Sequence, residues 1–133
     1  ILAYGTNEAG DTHVSVGRYE ERLAAVLTRL KKAAPRASCV LIGPTDRPIK
    51  RGGTWVHRER TDVVVDVQRR MSAQFGCGFW NAAAEMGGPL SIVRWADMDP
   101  PLARRDYVHL TSRGYELLGD AFSKALLQNF RAR

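Results

Sequence analysis

The sequence predicts an α/β fold, a parallel sheet with helices on its faces. Strand-like and helix-like segments alternate along the whole chain. The strand-like segments are short and apolar throughout, as strands covered on both faces are. The helix-like segments carry apolar residues at steps of three and four and stop at Pro or Gly.

Ile1-Leu2-Ala3-Tyr4-Gly5 reads as the first buried strand, and Gly5 to Gly10 as the loop after it. Val16 to Ala34 reads as a helix, with Val16, Tyr19, Leu23, Val26, Leu27 and Leu30 on one face and Pro35 as its stop. Ser38 to Gly43 is the second buried strand. Residues 44–59 are polar, basic and rich in Pro and Gly, so they read as a long loop of the kind that is often functional. Arg60 to Phe75 reads as a helix with Val64, Val67, Met71 and Phe75 on its inner face and Gly76 at its end. Cys77 to Asn81 is the third strand. A broken helical region holding Gly87-Gly88 follows, then the loop Asp99-Pro100-Pro101. The last helix runs from Thr111 to Phe130, with Leu117, Leu118, Ala121, Phe122, Ala125 and Leu126 as its expected buried face. This alternation gives a parallel sheet, whose reactive groups lie in loops beyond the carboxyl ends of the strands.

Composition narrows the classes. A length of 133 residues allows one domain and leaves little room for a second, and 44% hydrophobic with 26% charged residues is the balance of a globular protein rather than a disordered or collagenous one. No apolar run approaches a bilayer span. Twenty Lys and Arg against 14 Asp and Glu give a net charge of +6, which suits an acidic partner. Arg47, Lys50, Arg51, Arg58 and Arg60 cluster in the long loop, where a solvated charged face explains them about as well. Aligning Ser38–Gly43 with Gly76–Asn81 puts Cys39 beside Cys77 on neighbouring strands. A disulfide there would point to an oxidising compartment, and reduced thiols fit as well. Zinc-ligand spacing is absent.

The loop before the last helix reads Arg105-Asp106-Tyr107-Val108-His109-Leu110-Thr111. A carboxylate three residues before an imidazole on a tight segment can bond one ring nitrogen, fix the tautomer and leave the other nitrogen as a general base. A turn-capping Asp beside a surface His is the plainer reading. In the first loop, Asn7 just past a strand end can present its amide as an oxyanion donor, or simply sit in a turn. Ser112 is close to His109 in sequence, but a helix start makes capping its commoner role. Among the others, His13 suits a surface turn. His57 and Arg47 could line a substrate groove, and Trp55 and Trp95 could stack on sugar rings, although packing is the usual fate of a Trp. Tyr19, Trp80 and Phe122 fall on apolar faces.

Taken together, Gly5-Thr6-Asn7 and Asp106-Tyr107-Val108-His109 make the chain resemble the SGNH hydrolases, also called the GDSL esterase/lipase family. That family carries a Gly-x-Asn block after its third strand and Asp-x-x-His before its last helix. A narrower similarity, to bacterial enzymes that remove O-acetyl groups from peptidoglycan, is carried by four strings. They are Gly5-Thr6-Asn7-Glu8, Gly43-Pro44-Thr45-Asp46-Arg47-Pro48, Met86-Gly87-Gly88, and Pro101-Leu102-Ala103 through His109-Leu110-Thr111.

The resemblance implies a flavodoxin-like sheet and four roles. His109 is base and then acid, Asp106 orients it, the Asn7 side chain is an oxyanion donor, and Gly5 allows a tight turn beside the site. One departure is serious. The family's nucleophile is the Ser of a Gly-Asp-Ser block on the first strand, and a second block supplies a Gly donor. Neither is present, and none of Ser15, Ser38, Ser72, Ser91, Ser112 and Ser123 follows Gly-Asp. The expectation is therefore that residues 1–133 are the C-terminal portion of a single SGNH-hydrolase-like domain. Its N-terminal strands and its Ser block would lie upstream of Ile1, and this chain alone would be inactive.

The implied reaction is hydrolysis of an O-acetyl or other short acyl ester on a carbohydrate or cell-wall polymer, with no metal and no cofactor. The resemblance favours a periplasmic or secreted location, while the residues themselves leave the compartment open. Two rivals stand beside the esterase. One is a non-catalytic carbohydrate-binding domain on the same fold. The other is a basic nucleic-acid-binding module, disfavoured because no nucleic-acid motif is present and the aromatics are not interleaved with the basic residues.

Overall fold

The computed structural model describes Ile1–Arg131. In chain order its elements are β1 (Leu2–Ala3), α1 (Thr6–Gly10), α2 (Val16–Ala33), β2 (Val40–Ile42), β3 (Ile49–Arg51), β4 (Thr54–Val56), α3 (Glu59–Gln74), β5 (Gly78–Trp80), α4 (Ala82–Glu85), α5 (Ser91–Asp97) and α6 (Ser112–Arg131). They fall into two units. The first comprises Ile1–Pro44 and Arg58–Asn81; the second comprises Thr45–His57 and the chain from Ala82 on.

The first unit holds a parallel sheet flanked by helices, with strand order β1-β2-β5. Leu2 pairs with Leu41 and Leu41 with Phe79, so alternate residues of three strands make one apolar row. Against that row pack Ala9 of α1, Tyr19, Leu23 and Leu27 of α2, and Val64, Val67 and Met71 of α3. Leu41 is 2% exposed. Ile1 and Tyr4, expected inside, are exposed, because β1 is an edge of the sheet among the described strands.

The helix signals act locally. Ser15 caps α2 by accepting the Arg18 N–H at 3.2 Å, and Lys31 and Lys32 sit in the last turn, where cations complement the helix dipole. After α3 the chain turns at Gly76, whose φ of 63° needs no Cβ. Buried Gln68 of α3 donates from Nε2 to the Tyr4 carbonyl and to the Tyr19 hydroxyl, both at 2.9 Å, and so ties the end of β1 to α2. Cys39 and Cys77 form a disulfide with Cα atoms 4.7 Å apart, one residue before β2 and β5 begin.

Three expectations are overturned, two of them in the second unit. The long loop contains a hairpin, with Lys50 paired to Trp55 and a two-residue turn at Gly52-Gly53, φ 54° and 84°. Both positive angles are what a tight hairpin turn demands. The presumed loop after β1 contains α1, five residues long and too short to show periodicity. The expected inner face of α6 is mostly half-buried, and Leu117 and Leu126 are exposed. That helix packs through Leu118 and, most closely, by its first turn: Gly114 is buried and lies against the Leu102 carbonyl, with no room for a Cβ. Thr111, rather than Ser112, caps it by accepting the Gly114 N–H at 3.2 Å. The core of this unit is Met86, Ile92, Trp95, Ala96, Leu102, Ala103 and Leu110. Asp46, 1% exposed, accepts the Ile92 N–H at 3.2 Å and caps α5, whose own N-cap residue is Leu90, with no capping group.

Candidate active site

The segment before α6 is pinned on itself. Leu102 N–H donates to the Trp95 carbonyl at 2.9 Å, Arg104 N–H to the His109 carbonyl at 2.8 Å, and Thr111 N–H to the Leu102 carbonyl at 3.0 Å. An antiparallel bridge joins Ala103 and Leu110. Residues 104–109 are therefore a short loop held at its neck. Tyr107 makes its turn with φ 56°, a left-handed conformation uncommon for an aromatic residue.

That turn brings the carboxylate to the imidazole. Asp106 Oδ1 accepts the N–H groups of Val108 and His109, both at 2.9 Å, and Oδ2 lies 2.9 Å from His109 Nδ1. These bonds, led by the His109 N–H, hold the Asp106 carboxyl down at about 2, so it is ionised across the working range. An ionised acceptor at Nδ1 selects the tautomer with the proton there, leaving Nε2 as a lone-pair base. The His109 side chain is 61% exposed, so Nε2 is accessible.

In the first unit, Gly5 stands between β1 and α1 with φ 117°. A Cβ built there would meet Pro44 Cδ at 2.9 Å and Gln68 Nε2 and Val64 Cγ1 at 3.0 Å. Its N–H donates to the Glu8 carboxylate at 3.1 Å, which caps the short helix. Asn7 is exposed two residues later. It borders an open pocket of about 240 Å³ walled by Tyr4, Val14, Tyr19, Leu23 and Arg60.

The remaining candidates divide. Trp55 is half-buried against Tyr107, ring centroids 4.5 Å apart and tilted by 50°. Trp95 is a core residue at 7% exposure, which removes it as a sugar wall: its ring is spent on the apolar cluster. Arg47 and His57 are half-buried beside Asp46, and Arg47 donates its backbone N–H to it. Burial pushes the Asp46 carboxyl up, against the pull of the Ile92 N–H, His57, Arg94 and the Arg47 N–H. His13 is exposed in a turn whose Asp11 accepts its N–H at 2.8 Å. Tyr19 is core, whereas Trp80 and Phe122 are half-buried. Sequence reasoning passed over Asp46 and Tyr107 as functional positions. Asp46 finds its partner 46 residues away, which no local pattern announces, and only the Asp-x-x-His spacing marks the turn that Tyr107 makes.

Among the described residues no group of three or more His, Cys, Asp and Glu could hold a metal ion, and no helix is long and apolar enough to cross a membrane. A family model of GDSL-like lipases and acylhydrolases matches residues 1–117. The chain belongs to that family. This GDSL-like chain is also similar to a solved structure of a peptidoglycan O-acetylesterase in action. The two share 26% identity at a TM-score of 0.89, over 99% of this chain and 37% of the other. The chain thus spans well under half the length of that relative. No curated protein matches it in sequence.

Proposed function

We propose that this chain carries the acid–base pair and one oxyanion donor of a serine esterase acting on an O-acetyl or other short acyl ester of a carbohydrate or cell-wall polymer. The observation that carries the reading is the Asp106–His109 pair, with Oδ2 2.9 Å from Nδ1 and an accessible ring. Family membership and the O-acetylesterase likeness support it.

In this reading the nucleophilic serine comes from sequence outside these 133 residues, because no serine here follows Gly-Asp. The chain is then the C-terminal portion of a single SGNH-hydrolase-like domain and hydrolyses no ester alone. His109 Nε2 takes the serine proton as Oγ attacks the ester carbonyl. The carbonyl π pair becomes the oxyanion, which the Asn7 amide stabilises. Collapse expels the alkoxide, which takes the proton from the imidazolium and leaves an acyl-serine. Water then loses a proton to His109 as it attacks the acyl carbon, and serine recovers that proton as the carboxylic acid leaves. Asp106 stays ionised throughout. The Cys39–Cys77 disulfide supports a periplasmic or secreted setting.

The test is turnover of p-nitrophenyl acetate and of an O-acetylated glycan by the full-length protein. His109→Ala should lower it by at least about a thousandfold. Near-wild-type turnover by that variant refutes the base assignment, and a full-length protein that binds the glycan without hydrolysing it favours the non-catalytic rival.

A further inference from the structure

Tyr107 is the hinge of the Asp106–His109 loop. Its φ of 56° reverses the chain between the carboxylate and the two N–H groups that donate to it. A residue with a Cβ does not adopt this region freely, and it persists only where its surroundings hold it. The surroundings of Tyr107 supply that hold. Its N–H donates to the Arg104 carbonyl at 3.0 Å, its ring meets Trp55 at 4.5 Å between centroids, and its side chain is hydrogen-bonded to that of Arg105. The first and third contacts lie within the loop itself; the second comes from elsewhere in the sequence.

Trp55 is delivered by β4, half of a hairpin that the Gly52-Gly53 turn closes. Lys50, directly across the ladder, holds its ammonium 5.5 Å from the Trp55 ring centroid. Tyr107 also packs on the apolar cluster around Trp95 and Leu110. The Trp55 ring is therefore engaged with protein groups rather than offered to a ligand.

We propose that Trp55 is a positioning residue for His109, acting through Tyr107. The proposal rests on the reading of His109 as the general base. Without the Trp55 ring, Tyr107 relaxes toward negative φ. The Val108 and His109 N–H groups then leave Asp106, and the imidazole loses its fixed direction. A displacement of this size at a base costs rate rather than binding.

The experiment uses the full-length protein with Trp55→Ala, Trp55→Phe, Tyr107→Ala and the Trp55→Ala/Tyr107→Ala pair. Trp55→Ala should lower kcat for p-nitrophenyl acetate by about tenfold to a hundredfold, with KM within about twofold. Hydrogen exchange at the Val108 and His109 amides should speed up alongside. Trp55→Phe should restore most of kcat, and the double variant should be no slower than the worse single one, since both cut the same link. A rise in KM at unchanged kcat overturns the proposal and makes Trp55 a substrate wall. Unchanged kcat with unchanged exchange overturns it outright. If Trp55→Ala does not fold, Tyr107→Ala gives the same readings. Activity surviving in His109→Ala would refute the base assignment instead, and the exchange rates would still report whether Trp55 fixes the loop.

Discussion

Gly5→Ala is the sharpest probe of the turn that leads from β1 into α1. The added methyl would stand 2.9 Å from Pro44 Cδ and 3.0 Å from both Gln68 Nε2 and Val64 Cγ1. The last two atoms belong to α3, and Pro44 follows β2, so the clash cannot be relieved by one rotamer. Holding φ at 117° with a side chain costs about 1–3 kcal/mol. Forcing a methyl into a packed site costs about 1–3 kcal/mol more. The sum is about 2–6 kcal/mol. With an urea m-value of about 2 kcal/mol/M, the midpoint of full-length protein should fall by about 1–3 M. Gly53→Ala is the control: its φ is 84° and nothing lies within 4 Å of a built Cβ. That variant meets only the backbone penalty, about 1–2 kcal/mol. Equal destabilisation of the two variants in urea melts would refute the argument that close packing, rather than conformation alone, demands glycine at position 5.

Asp106→Asn should remove nearly all ester hydrolysis, by about 10⁴-fold in kcat, because an amide facing Nδ1 selects the wrong tautomer. A loss under tenfold in steady-state assays would contradict that geometry. Asn7→Ala should lower kcat by about 10²–10³-fold if its amide meets the oxyanion. Burial pushes the Tyr19 hydroxyl up to about 12, so between pH 10 and 12 the folded protein keeps a proton that the unfolded chain releases. Stability should therefore fall as pH rises through that window, by at most about 2.7 kcal/mol, and Tyr19→Phe melts should lack this component. The disulfide closes a loop with a sequence separation of 38, so Cys39→Ser should cost up to about 4 kcal/mol in the chain-entropy account, read as a lower thermal midpoint.

The sheet and the helices on it were legible because each is written in local periodicity. Leu41 in an apolar triplet, and Leu23 and Leu27 four apart, announce themselves without knowledge of their partners. The register of β2 on β5 was legible from aligning Ser38–Gly43 with Gly76–Asn81, which sets Cys39 beside Cys77. The hairpin was hidden by its charge: Lys50 and Arg51 make β3 look like a solvated loop. The Gly-Gly pair between Ile49 and Val56 was the available signal. The fate of Trp95 and the exposure of Leu117 and Leu126 could not be read, because periodicity marks a face without saying what covers it. The Asp106–His109 spacing was readable. The positive φ that makes the spacing productive was not, because Tyr107 is a residue that rarely adopts it.

The disulfide has a consequence beyond stability. Strands β2 and β5 are three residues long, so few backbone bonds distinguish their true alignment from one displaced by a residue. Such a displacement would turn Leu41 or Phe79 away from the helices. A covalent link one residue upstream of both strands forbids it outright. Alignment is thus decided at the amino ends of the strands, and the sequence beyond their carboxyl ends is released from that duty. Those segments, which begin at Gly43 after β2 and at Asn81 after β5, can take on conformations chosen for chemistry without risk of mispairing the sheet behind them.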